Sequence, residues 1–204
     1  LPGFGHSQTM DGSYGISEFV EFLEDFTHSL GLNRFHLVGH SIGGGIALRY
    51  ALKFPHKISK LVLVSSMFLG KEIALWVTVL SSRVLCRSLG IAAATILKAV
   101  KWLVNLVYAP LKFVNPLPRA KINFGTAVTT FREQATVLVK QLSELMVPTL
   151  LVWGANDGIV PVSNAYDAAR LIPDCQVHVF EGCGHSVYKQ RVKEFSHLLT
   201  TFLC

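Results

Sequence analysis

Phe35-His36-Leu37-Val38-Gly39-His40-Ser41-Ile42-Gly43-Gly44-Gly45 reads as a short apolar strand that breaks, at a serine, into glycines heading a helical pattern. Gly39 and Gly43 flank Ser41 at two residues on either side. A chain that passes from strand to helix this abruptly forces the turn residue into a strained conformation, and side chains at both flanking positions are expected to clash. The Ser41 hydroxyl then stands clear of the sheet. The N–H of Ile42, at the start of a helix, is placed to help hold a developing oxyanion. Glycine and serine are common in turns, so the plainer alternative is a serine in an ordinary glycine turn. The pattern gains force only if an acid and a histidine follow it, each just beyond a strand.

Outward from this stretch the chain alternates strands and helices. Upstream, Ser17 is a plausible N-cap, Phe19, Val20, Leu23, Phe26, Thr27 and Leu30 recur at helical spacing, and Gly31 supplies a stop. Downstream, Ile42 to Phe54 reads as a helix closed by Pro55, and Ile58 to Ser65 as a near-continuous apolar strand buried on both faces. Residues 67–146 break the rhythm with Gly70, Gly90, Pro110, Pro116 and Pro118 in a helical composition. Strand Thr149 to Trp153, helix Ser163 to Leu171, strand Gln176 to Phe180 and helix Val192 to Leu203 complete the chain. This order predicts an α/β fold: a mostly parallel sheet flanked by helices, carrying a helical insertion.

Two later loops supply the partners. Gly154-Ala155-Asn156-Asp157-Gly158-Ile159-Val160-Pro161 follows one strand, and Glu181-Gly182-Cys183-Gly184-His185-Ser186 follows another. In parallel α/β sheets, ligand and catalytic groups gather beyond the carboxyl ends of strands. A serine hydroxyl is a weak nucleophile at neutral pH and needs a base within hydrogen-bond reach. His185 can take the proton and return it to a leaving group, and Asp157 can fix the imidazole's tautomer and stabilise its cation. Asp174 lies near enough in sequence to be the competing acid, and a turn aspartate or a solvated loop histidine is the plainer reading of each residue. His40 reads as a packing or hydrogen-bonding residue. His6, His36, His56 and His178 show no partner pattern.

With these motifs in hand, the chain resembles α/β-hydrolase-fold serine hydrolases, whose triad runs Ser, Asp, His. Gly-His-Ser-Ile-Gly-Gly is similar to that family's nucleophile elbow, Trp-Gly-Ala-Asn-Asp-Gly-Ile-Val-Pro to its acid loop, and Gly-Cys-Gly-His to its histidine loop. Leu-Pro-Gly-Phe-Gly-His-Ser resembles the loop after the fold's fourth strand, which would set Phe4 and Gly5 beside the oxyanion and the substrate. The resemblance implies a core formed by 1–66 and 147–204, with 67–146 as a helical lid. It also implies catalytic roles for Ser41, Asp157 and His185, with no metal or organic cofactor. A serine at position 41, where dehalogenases and epoxide hydrolases of this fold carry aspartate, points to acyl transfer. The expected substrate is a small hydrophobic carboxylic ester. Alternatives are a C–C bond hydrolase or acyltransferase with the same triad, or a non-catalytic binding protein that retains the fold.

Charge is unevenly spread. From Lys71 to Glu144 there are ten Lys and Arg against three Asp and Glu, whereas the whole chain carries a net charge of only +6. Within this segment Leu89 to Ala109 is charged only at Lys98 and Lys101, which lie with Asn105 on one narrow arc of a helix. A lid helix packed over the sheet is the simpler reading. An in-plane membrane helix, presenting Trp102, Leu103, Leu106 and Val107 to acyl chains, is the sharper one. The two lysines and Pro110 argue against a spanning helix. The basic surplus lacks aromatic interleaving, which argues against nucleic acid as a partner. Cys86, Cys175, Cys183 and Cys204 show no metal spacing and read as free thiols of a reducing compartment, so a cytoplasmic protein with peripheral membrane contact is expected. The oligomeric state is not legible.

The family's sheet also has strands ahead of the Leu1 loop and a second oxyanion donor after its third strand. Neither falls within these 204 residues. The resemblance therefore implies an N-terminally truncated piece, in which the strand at Phe35 becomes a sheet edge. Loss of one oxyanion donor typically costs ~10²–10³ in kcat, so the chain by itself is expected to be poorly active.

Overall fold

Runs rich in Val, Leu and Ile become four parallel strands in a computed structural model that describes residues 1–3, 6–7, 15–70 and 138–204. The chain divides into two units, Leu1–Gly12 with Leu75–Val128 and Ser13–Ala74 with Thr129–Cys204. Of the first, the described residues are a turn containing Gly3 at φ 74° and the short stretch at His6 and Ser7. The second holds the sheet and everything described below. Phe4, Gly5 and most of the expected lid, including the Leu89 to Ala109 helix, lie outside the described residues.

The strands are β1 (Phe35–His40), β2 (Ile58–Val64), β3 (Thr149–Gly154) and β4 (Cys175–Phe180), lying in space in their order along the chain. The helices are α1 (Ile16–Ser29), α2 (Ile42–Lys53), α3 (Ser163–Ala169), α4 (Val187–Gln190) and α5 (Val192–Leu203), with 3₁₀ turns at Pro55–Lys57 and Leu142–Glu144. In register, His40 pairs with Val64, Val64 with Val152, and Gly154 with Phe180. Parallel pairing in this register brings all four carboxyl ends to one side of the sheet. The loops carrying Ser41, Asp157 and His185 therefore leave from the same edge.

The boundaries differ slightly from expectation. α1 begins at Ile16 with Gly15 as its N-cap, because Ile16 is buried and Glu18 reaches back to accept the Gly15 N–H at 2.9 Å. The four-residue α4 is too short to show a periodicity in sequence.

Burial on both faces explains the unbroken apolar runs of the central strands. Leu61, Val62, Leu63, Leu150, Leu151, Val152 and Trp153 are essentially solvent-free. On one face Val62, Val64, Leu150, Val152 and Phe180 pack beneath Phe195, Leu198, Leu199 and Phe202 of α5. Lys60 Nζ donates to the carbonyls of Phe202 and Leu203 at 2.7 and 3.2 Å, satisfying the open end of that helix. α2 packs on β1 and β2, and α1 on α2. Between the two helices lies a polar cluster: Tyr50 donates to Glu24 at 2.6 Å, Lys57 pairs with the same carboxylate, and Thr27 meets Tyr50 at 3.2 Å. Burial, reinforced by Glu24, pushes the Tyr50 phenol up to about 12. The carboxylate offsets part of the cost of burying that hydroxyl, and the cluster fixes how α1 sits on α2.

Among the described residues no helix is long and apolar enough to cross a membrane, and Cys175, Cys183 and Cys204 are free thiols.

Candidate active site

The turn after β1 is as tight as its glycines suggest, but for one of them the reason differs. Ser41 lies at φ 55°, ψ −120°, in the left-handed half of backbone space, where non-glycine residues cost about 1–3 kcal/mol. Backbone bonds hold it there: its N–H donates to Val64 O at 3.0 Å, and its carbonyl accepts the N–H groups of Gly44 and Met67, each at 3.0 Å. A Cβ at Gly39 would lie 2.4 Å from the Gly43 carbonyl oxygen, so no side chain fits there. At Gly43 a Cβ would meet nothing within 4 Å, which corrects the expectation that both flanking positions are closed. The close approach falls instead on the next two glycines, where added Cβ atoms would strike Ser66 and the ring of Phe68. Ile42 opens α2, and like every first-turn N–H its amide has no partner within the helix.

β3 delivers the carboxylate. Asp157 Oδ1 accepts the N–H groups of Ile159 and Val160 at 2.9 and 3.0 Å, an aspartate closing its own turn. Trp153 anchors the same loop, its indole N–H donating to the Val160 carbonyl at 2.9 Å. Burial alone would raise the Asp157 carboxyl. The bond from His185 and the two backbone N–H groups outweigh it, so the group is held below its ordinary value. The buried Ser65 hydroxyl also favours the ionised carboxylate, although it makes no hydrogen bond of regular geometry with any described group.

β4 delivers the imidazole. Asn156 N–H donates to Cys183 O at 2.8 Å, and a Cβ on Gly154 would lie 2.3 Å from Gly184 O, so the two loops are in backbone contact. Gln190 of α4 accepts the Gly184 N–H at 2.8 Å. His185 Nδ1 then lies 2.9 and 3.1 Å from the two Asp157 oxygens, and its Nε2 lies 3.0 Å from Ser41 Oγ. A carboxylate only accepts, so Nδ1 carries the hydrogen, and the neutral ring's Nε2 is left to accept from the serine hydroxyl. The side chain of Asp157 is fully buried, while that of His185 is 16% exposed.

The structure thus brings Ser41, His185 and Asp157, taken from three strand ends, into one hydrogen-bonded chain. Asp174 does not join it; its carbonyl accepts the Thr149 N–H at the other end of the sheet. Phe4 and Gly5 lie outside the described residues. The motifs gave no reason to single out Ser65 or Gln190. Ser65 had a signal, its place at the carboxyl end of a strand, but Gln190 had none, because its position depends on a single turn of helix.

Comparison with known proteins agrees with this architecture. The model of the α/β hydrolase fold family matches residues 1–192. An uncharacterized protein of Mycobacterium tuberculosis is 25% identical across the whole chain, which spans only 65% of that relative's length. A 2-hydroxymuconate semialdehyde hydrolase of Pseudomonas putida is 29% identical over 98% of this chain and 74% of its own. The solved monoacylglycerol lipase of Paleococcus ferrophilus superposes with a TM-score of 0.70 at 22% identity, covering 100% of this chain and 80% of that one. With residues 1–192 of its 204 matched by the family model and the sheet ordered as described, this chain belongs to the α/β hydrolase fold family.

Proposed function

We propose that this chain carries the catalytic centre of a serine hydrolase that cleaves a carboxylic ester of a hydrophobic substrate. The observation that carries the reading is the 3.0 Å approach of Ser41 Oγ to His185 Nε2 on an imidazole already oriented by Asp157. Ser41 Oγ attacks the acyl carbon as its proton passes to His185 Nε2. The Ile42 N–H faces the oxygen that becomes negative. Collapse of the tetrahedral intermediate expels the alkoxide, which leaves as the alcohol with the proton from His185. Water then repeats the sequence on the acyl-enzyme, giving the acid and free Ser41. Asp157, fully buried and held ionised, stabilises the imidazolium formed in each half-reaction. Residues 67–146 are proposed as the lid that selects the acyl group, and their basic apolar stretch as a peripheral membrane contact.

One observation favours a second reading. The semialdehyde named for the Pseudomonas putida relative contains no ester, so its hydrolysis must fall on a C–C bond beside a carbonyl. The same serine and imidazole serve that reaction if the departing carbanion is stabilised as an enolate.

A fluorophosphonate probe tests the shared step. The full-length protein is expected to label and Ser41→Ala to remain unlabelled; equal labelling of both sinks the assignment of Ser41. A panel of p-nitrophenyl esters, monoacylglycerols and 2-hydroxymuconate semialdehyde then separates the two readings by kcat/KM.

A further inference from the structure

Two consecutive residues at the end of β1, His40 and Ser41, bond to one residue, 145 and 144 positions away. Ser41 Oγ meets the His185 imidazole, and the ring Nε2 of His40 lies 2.9 Å from the His185 backbone carbonyl. A carbonyl only accepts, so Nε2–H of His40 is the donor. From this geometry we propose that His40 is a positioning residue, holding the backbone of the base to the same turn that presents the nucleophile. The proposal rests on the functional reading above.

A loop histidine tied only through its ring can swing as its backbone drifts. Here both ends are fixed. The imidazole is held by Asp157 from the end of β3, and the carbonyl by His40 from the end of β1. The peptide bond between His40 and Ser41 closes a ring of atoms with His185, so a rigid shift of the β4 loop away from Ser41 also strains the His40 bond. His40 is itself held: the Tyr188 ring meets it edge-on with centroids 5.0 Å apart, and the His185 ring lies 4.8 Å away on a tilted plane. Burial keeps its imidazole below its ordinary pKa, leaving it neutral beside the base at neutral pH. A space-filling role would require only a ring of the right size. A positioning role requires the donor.

His40→Gln and His40→Leu distinguish these. A glutamine amide nitrogen reaches about as far as Nε2 and can donate to the same carbonyl, whereas leucine fills volume without donating. In the full-length protein, His40→Leu is expected to lower kcat on a p-nitrophenyl ester by about 10- to 10²-fold at unchanged KM, the size of effect that follows a misplaced base. His40→Gln should recover most of that loss. The downfield proton NMR signal of the His185 Nδ1–H should persist in His40→Gln and broaden in His40→Leu. Leucine matching the wild type, or glutamine as impaired as leucine, overturns the proposal. If His40→Leu melts below the assay temperature, Tyr188→Leu carries the test: lower kcat with unchanged KM supports it, and unchanged kcat and NMR signal overturn it. The signal needs no substrate. A protein without turnover whose signal still depends on residue 40 therefore sinks the hydrolase reading and keeps the positioning role.

Discussion

The central and outer strands of this sheet are built differently. β3 is buried at every position, and β2 nearly so, whereas the first four residues of β1 and of β4 alternate between partly buried and exposed. The chemistry is divided along the same line. The fully buried carboxylate of Asp157 and the Ser65 hydroxyl beside it hang from the centre. Ser41 and His185, both partly accessible, hang from the outer strands. A fixed charge gains most where water is excluded and nothing moves. The two groups that exchange a proton must meet a substrate, so they need access at the carboxyl ends of their strands.

The largest expected effect breaks the central half of this arrangement. Asp157→Asn should cost about 10⁴ in kcat with little change in KM, as happens when the tautomer of a serine hydrolase's base is no longer fixed. The same substitution should flatten the acid limb of the stability profile. The Asp157 carboxyl lies lower in the folded chain than in the unfolded one, so it adds stability above the unfolded value, and that contribution disappears as pH falls through the folded one. Chemical denaturation across pH 3 to 7 on the order of one-unit steps would show this; an unchanged acid limb would mean that the aspartate is not held ionised. Packing gives the next effect. Leu151, with no exposed surface, should lose about 2–5 kcal/mol as Leu151→Ala. Val38 on β1, 45% exposed, should change by less than about 0.5 kcal/mol as Val38→Ala. Equal losses would erase the distinction between centre and edge. A smaller effect sharpens it: Ser41→Gly should abolish turnover yet raise stability by about 1 kcal/mol in a thermal melt, because glycine occupies φ 55° without strain. A lower melting temperature would show that Ser41 is not strained.

What the sequence revealed follows this division. Burial on both faces leaves a continuous apolar signature, so β2 and β3 stand out from their residues alone. The turn at Ser41 was visible because Gly39 has no room for a Cβ, and the loops of Asp157 and His185 because glycine-rich segments follow strands. At Gly43 the glycine misleads: the space beside it is open, and the tight contacts belong to Gly44 and Gly45. The His40 bond to the His185 carbonyl and the approach of Ser65 to Asp157 could not be read, since each depends on two strand ends meeting across the sheet. Ser17 has a side chain suited to a cap, but burial of Ile16 sets the helix start upstream of it.

The pairing of Val64 with Val152 has a consequence for how the chain assembles. β1 and β2 are joined by α2 and a 3₁₀ turn, and β3 and β4 by α3, but the two halves of the sheet are separated by the whole segment between Val64 and Thr149. Bringing those ends together carries a closure entropy that grows only logarithmically, about 0.6 kcal/mol for each doubling of the intervening chain. A large insertion is therefore tolerated thermodynamically at this seam. The same entropy must be met before β2 and β3 touch, so their pairing is the non-local contact that raises the contact order of this sheet.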